Sequence, residues 1–284
     1  MLYHAYILTI PHIWSHPFEF QLPTNSISLF NALTFPLHFG MQAVSCFIVL
    51  SGYVLMLPLA KRNIYVLNNG FTKYIKRRAC RILPPYYICL FFSIIIFAIF
   101  PISNGTAHWN IYLPNFDFAL GKGDMLAYLL LIQNLKNIWI YNINTPMWSI
   151  AAEWQIYFIF PLLILPLAKK IGILSSAIVV FIITSAPYIV SFTSPAHNWG
   201  HGFRSLWSTH PWYIGLFSFG MLGACINYNN SYKYMKSLHW HIISMIAIIP
   251  FLYIAFFRLR YINNYMWLCD LSIGISVMSA LIYN

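Results

Sequence analysis

The sequence predicts an all-α fold: a polytopic transmembrane helix bundle of about nine membrane segments, the first of them partial. Three observations predict it. Charged residues make up 7% of the chain and hydrophobic residues 60%. A soluble domain carries about 25% charged residues, so this chain cannot cover a water-facing surface and its bulk solvent is lipid. Second, the apolar runs approach the length of about 20 residues that a membrane span needs. Third, those runs are continuous rather than alternating, which favours helices over the closed barrel that lipid also permits. The whole of 1–284 reads as a single integral membrane domain, with membrane lipids as its first partner.

The net charge of +11 reflects a lack of acids as much as an excess of bases, with 5 Asp+Glu against 16 Lys+Arg. In a membrane protein such bases mark cytoplasmic loops. With no soluble domain to display the charge, nucleic-acid binding is excluded.

Taken in order, residues 1–14 read as the last turns of a helix whose start is missing. They lack the basic n-region and small-residue cleavage site of a signal peptide. A polar loop follows, and segment two covers about 36–60. The basic loop is placed at 61–81, segment three at about 83–101, and a polar loop at 102–124. Segments four and five fall at about 125–141 and 146–168, joined to segment six (about 173–193) by the short turn Lys169–Gly172. A loop with His197, His201 and Arg204 leads to segments seven, eight and nine, at about 210–227, 241–257 and 265–283. A final span is expected to be missing after Asn284.

The loop at 61–81 carries seven bases, Lys61, Arg62, Lys73, Lys76, Arg77, Arg78 and Arg81, and is cytoplasmic on any count. The second half is undecided. If segments four and five each span, the inside holds eleven bases; if they cross once together, it also holds eleven. The length of each segment favours two crossings.

Polar residues inside apolar helices carry the functional signal. Glu153 lies two turns into segment five, and Ser149, Glu153 and Tyr157 share a face by their spacing of four. A carboxylate there costs a few kcal/mol and must face the bundle interior with a partner. Near an interface it could instead snorkel or pair with a loop lysine. His4 sits in an apolar, aromatic run, where imidazole serves either as a bundle hydrogen-bonder or as a proton acceptor near neutral pH. Gly40, Ser45, Ser51 and Gly52 are small residues on a bulky helix, which permits close helix packing or close approach to a ligand.

His197 and His201 with His210, and His239 with His241, suggest a metal set. Asn198, Gly200 and Gly202 oppose the helix it would need, and no Cys or acid accompanies it, so no metal site is predicted. The five cysteines show no CxxC spacing and read as free thiols.

Three stretches together carry a resemblance: VSCFIVLSGYVL (44–55), YIKRRACRILPPYY (74–87) and TPMWSIAAEWQIYFIFPLL (145–163). In this order and spacing they resemble the acyltransferase 3 family of integral membrane O-acyltransferases. The match covers about 1–225. The LYHA of residues 2–5 resembles the end of that family's first-helix motif, which makes His4 the counterpart of the catalytic histidine. The family's basic residue eleven positions earlier has no counterpart here.

The resemblance implies an acyl-CoA donor, commonly acetyl-CoA, as co-substrate, with no bound cofactor. It implies a hydroxyl acceptor on a sugar, surface polysaccharide or lipid, and a place in a bacterial inner membrane. Arg77, Arg78 and Arg81 are then expected to hold the phosphates of coenzyme A, because a guanidinium fork suits phosphate oxygens; Arg81, next to the apolar run, is the favoured ligand residue, while most of the seven bases serve topology. Tyr86, in the same stretch, joins them on the donor side. His4 takes the acceptor's proton, Glu153 orients or charge-stabilises that imidazole, and Ser51 or Ser149 binds the oxyanion.

Two readings from other classes compete. A transporter or flippase would use Glu153 and His4 in a polar path and would move solute without consuming acyl-CoA. A truncated, inactive homologue would do neither, and an upstream in-frame segment would argue against it.

Overall fold

The computed structural model describes residues 39–67, 70–99, 122–140, 143–193, 209–257 and 265–283. Ten helices carry the description that follows: α1 (Gly40–Ala60), α2 (Gly70–Ile99), α3 (Lys122–Leu129), α4 (Trp148–Ile159), α5 (Leu165–Ile171), α6 (Ile173–Thr193), α7 (Trp212–Tyr228), α8 (Trp240–Ala247), α9 (Ile249–Phe257) and α10 (Met266–Tyr283). Among the described residues there is no strand. Among the described residues, five stretches are long and apolar enough to cross a membrane: Gly40–Ala60, Gly70–Ile96, Trp148–Ile171, Trp240–Phe257 and Met266–Tyr283. Their outer faces present Ile88, Phe91, Phe92, Leu163, Met245 and Phe257. A soluble protein would not expose such rows; lipid is the solvent that fits them.

Two stretches depart from the sequence reading. The basic segment is helical from Gly70, so Lys73, Lys76, Arg77, Arg78 and Arg81 lie on the first turns of α2 rather than in a loop. Lys and Arg are good helix formers, and Phe71 and Tyr74 sit at helical spacing toward α4. The helix passes through Pro84 and Pro85 without ending. Segment four, expected to span, is broken. Its helix α3 has eight residues, or about 12 Å at 1.5 Å per residue, against a hydrocarbon core of about 30 Å. Leu131 then takes a left-handed conformation (φ 55°), followed by a 3-10 turn at Gln133–Leu135 and a single turn at Asn137–Ile140.

The chain divides into two units. One holds the described residues up to Ile64, Gly172–Ile182 and Trp212–Asn284. Its centre is α7 against α1. A Cβ on Gly220 would overlap the Val49 carbonyl oxygen and lie 2.8 Å from the Tyr53 nitrogen; one on Gly52 would overlap the Phe217 carbonyl. Backbone meets backbone here because the side chains are absent. α10 closes on both, and a Cβ on Gly274 would lie 2.6 Å from Leu216 Cδ2. At the α8–α9 junction Pro250 has no N–H to give. Next to it Ser272 stands between the ends of the following pair: its hydroxyl donates to the Ala247 carbonyl and accepts from the Phe251 N–H at 3.3 Å. Asp270, fully buried on α10, accepts from Ser45 Oγ at 2.6 Å and from Trp212 Nε1 at 2.9 Å.

The other unit holds Tyr65–Ile171 and Ile183–Pro211. There α4 runs into a π-helical turn, Phe160–Ile164, before α5. Pro161 falls in that turn and has no N–H to give to a preceding carbonyl.

Candidate active site

The acid singled out by the sequence, Glu153, is buried on α4. One turn later the Tyr157 hydroxyl donates to its carboxylate. Tyr157 is buried as well, and its ring faces α2 with the Arg78 guanidinium 5.5 Å from its centroid. The same guanidinium stands 5.8 Å from the ring of Tyr74, one turn earlier on α2. Tyr74 is 4% exposed and lies 5.9 Å from Phe160, whose position follows from the π turn. Arg78 is thus held between two aromatic faces, each attracting a cation through its ring quadrupole. Arg81 and Arg78 both act electrostatically on the Glu153 carboxylate.

Two donors in this layer have no hydrogen-bond partner: Arg78 Nε and the Tyr74 hydroxyl. Buried donors are normally satisfied; neither of these reaches Glu153, whose carboxylate accepts from Tyr157.

The broken stretch after α3 braces α4 from behind. Gln155 Nε2 donates to the Leu131 carbonyl at 3.0 Å and to Asn134 Oδ1 at 2.6 Å, and Asn134 Nδ2 returns a bond to Gln155 Oε1 at 3.2 Å. Gln133 Nε2 donates to the Met147 carbonyl at 3.1 Å and to Tyr86 Oη at 3.2 Å. These amides account for the break in segment four: its polar residues fold back to serve α4 and α2 instead of continuing a span.

The other expected site residues fall as follows. Arg77 and Arg81 are exposed on α2, one turn apart. Ser149 is half-buried and donates to the Pro146 carbonyl at 3.1 Å, tying down the start of α4. Tyr86 is 1% exposed; its hydroxyl donates to the Tyr128 carbonyl at 2.7 Å and accepts from Gln133, which ties α2 to α3. Ser51 is half-buried on α1, in the other unit. His4, His197 and His201 lie outside the described residues. Among the described residues, no three His, Cys, Asp or Glu side chains gather as a metal set would.

A buried acid, a ring-held arginine and two unmet donors, Arg78 Nε and the Tyr74 hydroxyl, thus gather on α2 and α4. A family model described as an acyltransferase domain matches residues 1–284. The chain belongs to the acyltransferase 3 family. It is therefore a multi-pass membrane acyltransferase, transferring groups other than aminoacyl groups. No curated protein and no solved structure matches it.

The sequence reading missed several features of this acyltransferase. Tyr74 was hidden among the bases, where a tyrosine reads as interfacial. Asp270 shows the same signal as Glu153, a lone acid in an apolar run. His210, weighed only with a metal set, stacks on Trp148 at 4.8 Å with a left-handed backbone (φ 46°).

Proposed function

We propose that this acyltransferase moves an acyl group, commonly acetyl, from acyl-CoA to a hydroxyl of a sugar, surface polysaccharide or lipid in a bacterial plasma membrane. The observation that carries the reading is Arg78, ring-held beside Glu153 with its Nε and the Tyr74 hydroxyl unpartnered. Coenzyme A is a polyanion, and its phosphate oxygens are the acceptors those donors lack. Arg77 and Arg81, exposed on the same turns, extend the positive field toward the entering donor.

In the proposed step His4 takes the proton of the acceptor hydroxyl while its oxygen attacks the thioester carbonyl. The new ester C–O bond forms, the C–S bond breaks, and the departing CoA thiolate receives the proton from His4. Glu153 supports the imidazolium that exists between those events. Ser51 or Ser149 binds the oxyanion.

The test is transfer from radiolabelled acetyl-CoA in membranes that contain the protein. Label is expected in the glycan or lipid fraction with an equal release of free CoA. His4→Ala and Glu153→Gln should each lower it by about a hundredfold or more. Solute flux without CoA release, or full activity in both variants, would overturn the proposal.

A further inference from the structure

We infer that Tyr74 and Tyr157 divide the work around Arg78: the Tyr74 hydroxyl completes a seat for a donor phosphate, and the Tyr157 hydroxyl positions Glu153. The inference rests on the acyl-CoA reading above and assigns separate roles within it.

Both tyrosines offer a ring to the same guanidinium, at 5.8 and 5.5 Å. Their hydroxyls go to different places. That of Tyr157 is spent on Glu153. That of Tyr74 is buried with no partner, as is Arg78 Nε one turn away on α2. Two unmet donors on one helix face, one of them on a permanent cation, call for an acceptor carrying negative charge and several lone pairs. A phosphate group meets that need; without an acceptor, Arg78 Nε and the Tyr74 hydroxyl would remain a standing cost.

The rings and hydroxyls can be separated. Tyr→Phe keeps the ring that steadies Arg78 and deletes only the hydroxyl. Tyr74→Phe therefore removes a contact to bound donor, which appears in KM. Tyr157→Phe leaves the phosphate seat intact and frees the Glu153 carboxylate to turn, which appears in kcat. Tyr157 touches no substrate in this scheme and is a positioning residue.

The experiment measures transfer from radiolabelled acetyl-CoA into the lipid and glycan fraction of membranes bearing the full chain. It also measures the thermal stabilisation of the purified protein by coenzyme A. Tyr74→Phe is expected to raise KM for acetyl-CoA by about tenfold and to shrink the stabilisation, with kcat within about twofold. Tyr157→Phe is expected to lower kcat by about tenfold, with KM and stabilisation within about twofold. Tyr157→Leu, which also loses the ring, should move both parameters.

Acetyl-dephospho-CoA distinguishes the two phosphate sources. The Tyr74→Phe penalty vanishes with that donor if the seat takes the 3′-phosphate and persists if it takes the pyrophosphate; both patterns support the seat. Tyr→Phe variants that both match wild type, or that move the same parameter, would overturn the inference while leaving the acyl-CoA reading intact. If the wild type neither transfers label nor is stabilised by coenzyme A, the acyl-CoA reading fails and the inference falls with it.

Discussion

Ser45 and Asp270 are 225 residues apart in sequence and joined by a hydrogen bond of 2.6 Å, both with no exposed surface. With Trp212 donating to the second carboxylate oxygen, the pair ties α1, α7 and α10 at one point. Buried polar groups earn their place in an apolar bundle only when satisfied, and here each carboxylate oxygen has its donor.

Removing the acid should therefore be worse than neutralising it. Asp270→Ala strands the Ser45 hydroxyl and the Trp212 indole N–H, and should destabilise the protein by about 2–4 kcal/mol. Asp270→Asn keeps one carbonyl acceptor and should cost about half as much. Thermal unfolding in a fixed detergent gives the comparison. Equal midpoints for Asp270→Ala and wild type would show that the triad contributes nothing to the packing of α10.

The α1–α7 contact makes a prediction with its control on the same helix. Gly220→Ala places a methyl on the Val49 carbonyl and 2.8 Å from the Tyr53 nitrogen, both backbone atoms that cannot step aside. Gly223→Ala meets side-chain atoms instead: Met278 Cγ at 3.2 Å, and Ile282 Cγ1 and Tyr53 Cδ2 each at 3.6 Å. A methionine side chain is flexible and can yield. Gly220→Ala should cost about 1–3 kcal/mol, and Gly223→Ala should stay within about 0.5 kcal/mol. The same unfolding assay reads both, and a larger loss at Gly223 would contradict the close backbone approach at Gly220.

The fold class was legible because lipid imposes one rule on every segment, and composition alone states which solvent the chain meets. Glu153 was legible for the same reason, since a carboxylate in an apolar helix requires a cause. The break after α3 was not. Over 125–141 the hydropathy averages across Gln133 and Asn134, and what stops the helix is their pairing with Met147 and Gln155, a tertiary fact. The helical start at Gly70 was hidden by its charge, because a basic run reads as a loop until Phe71 is seen packing on α4 and Tyr74 on the π turn after it. Tyr74 itself could not be found by spacing. Its importance lies in the π turn that brings Phe160 beneath its ring, and in an arginine whose donors are unmet.

Arg78 and Arg81 belong to one motif but sit in different surroundings, and replacement by lysine should separate them. Arg78 is half-buried between two rings, where a planar guanidinium stacks and an ammonium does not. Arg81 is exposed, where a lysine supplies the same charge to the same water-screened field. Arg78→Lys should lower kcat/KM for acetyl-CoA by about tenfold or more, while Arg81→Lys should stay within about threefold. Raising the salt should weaken the contribution of Arg81 more than that of Arg78, since a partly buried charge is screened less. Measuring kcat/KM for both variants at low and high ionic strength checks the two statements together. If Arg81→Lys proves the more damaging, the ligand's main contact lies on the exposed turn of α2, not in the layer between Tyr74 and Tyr157.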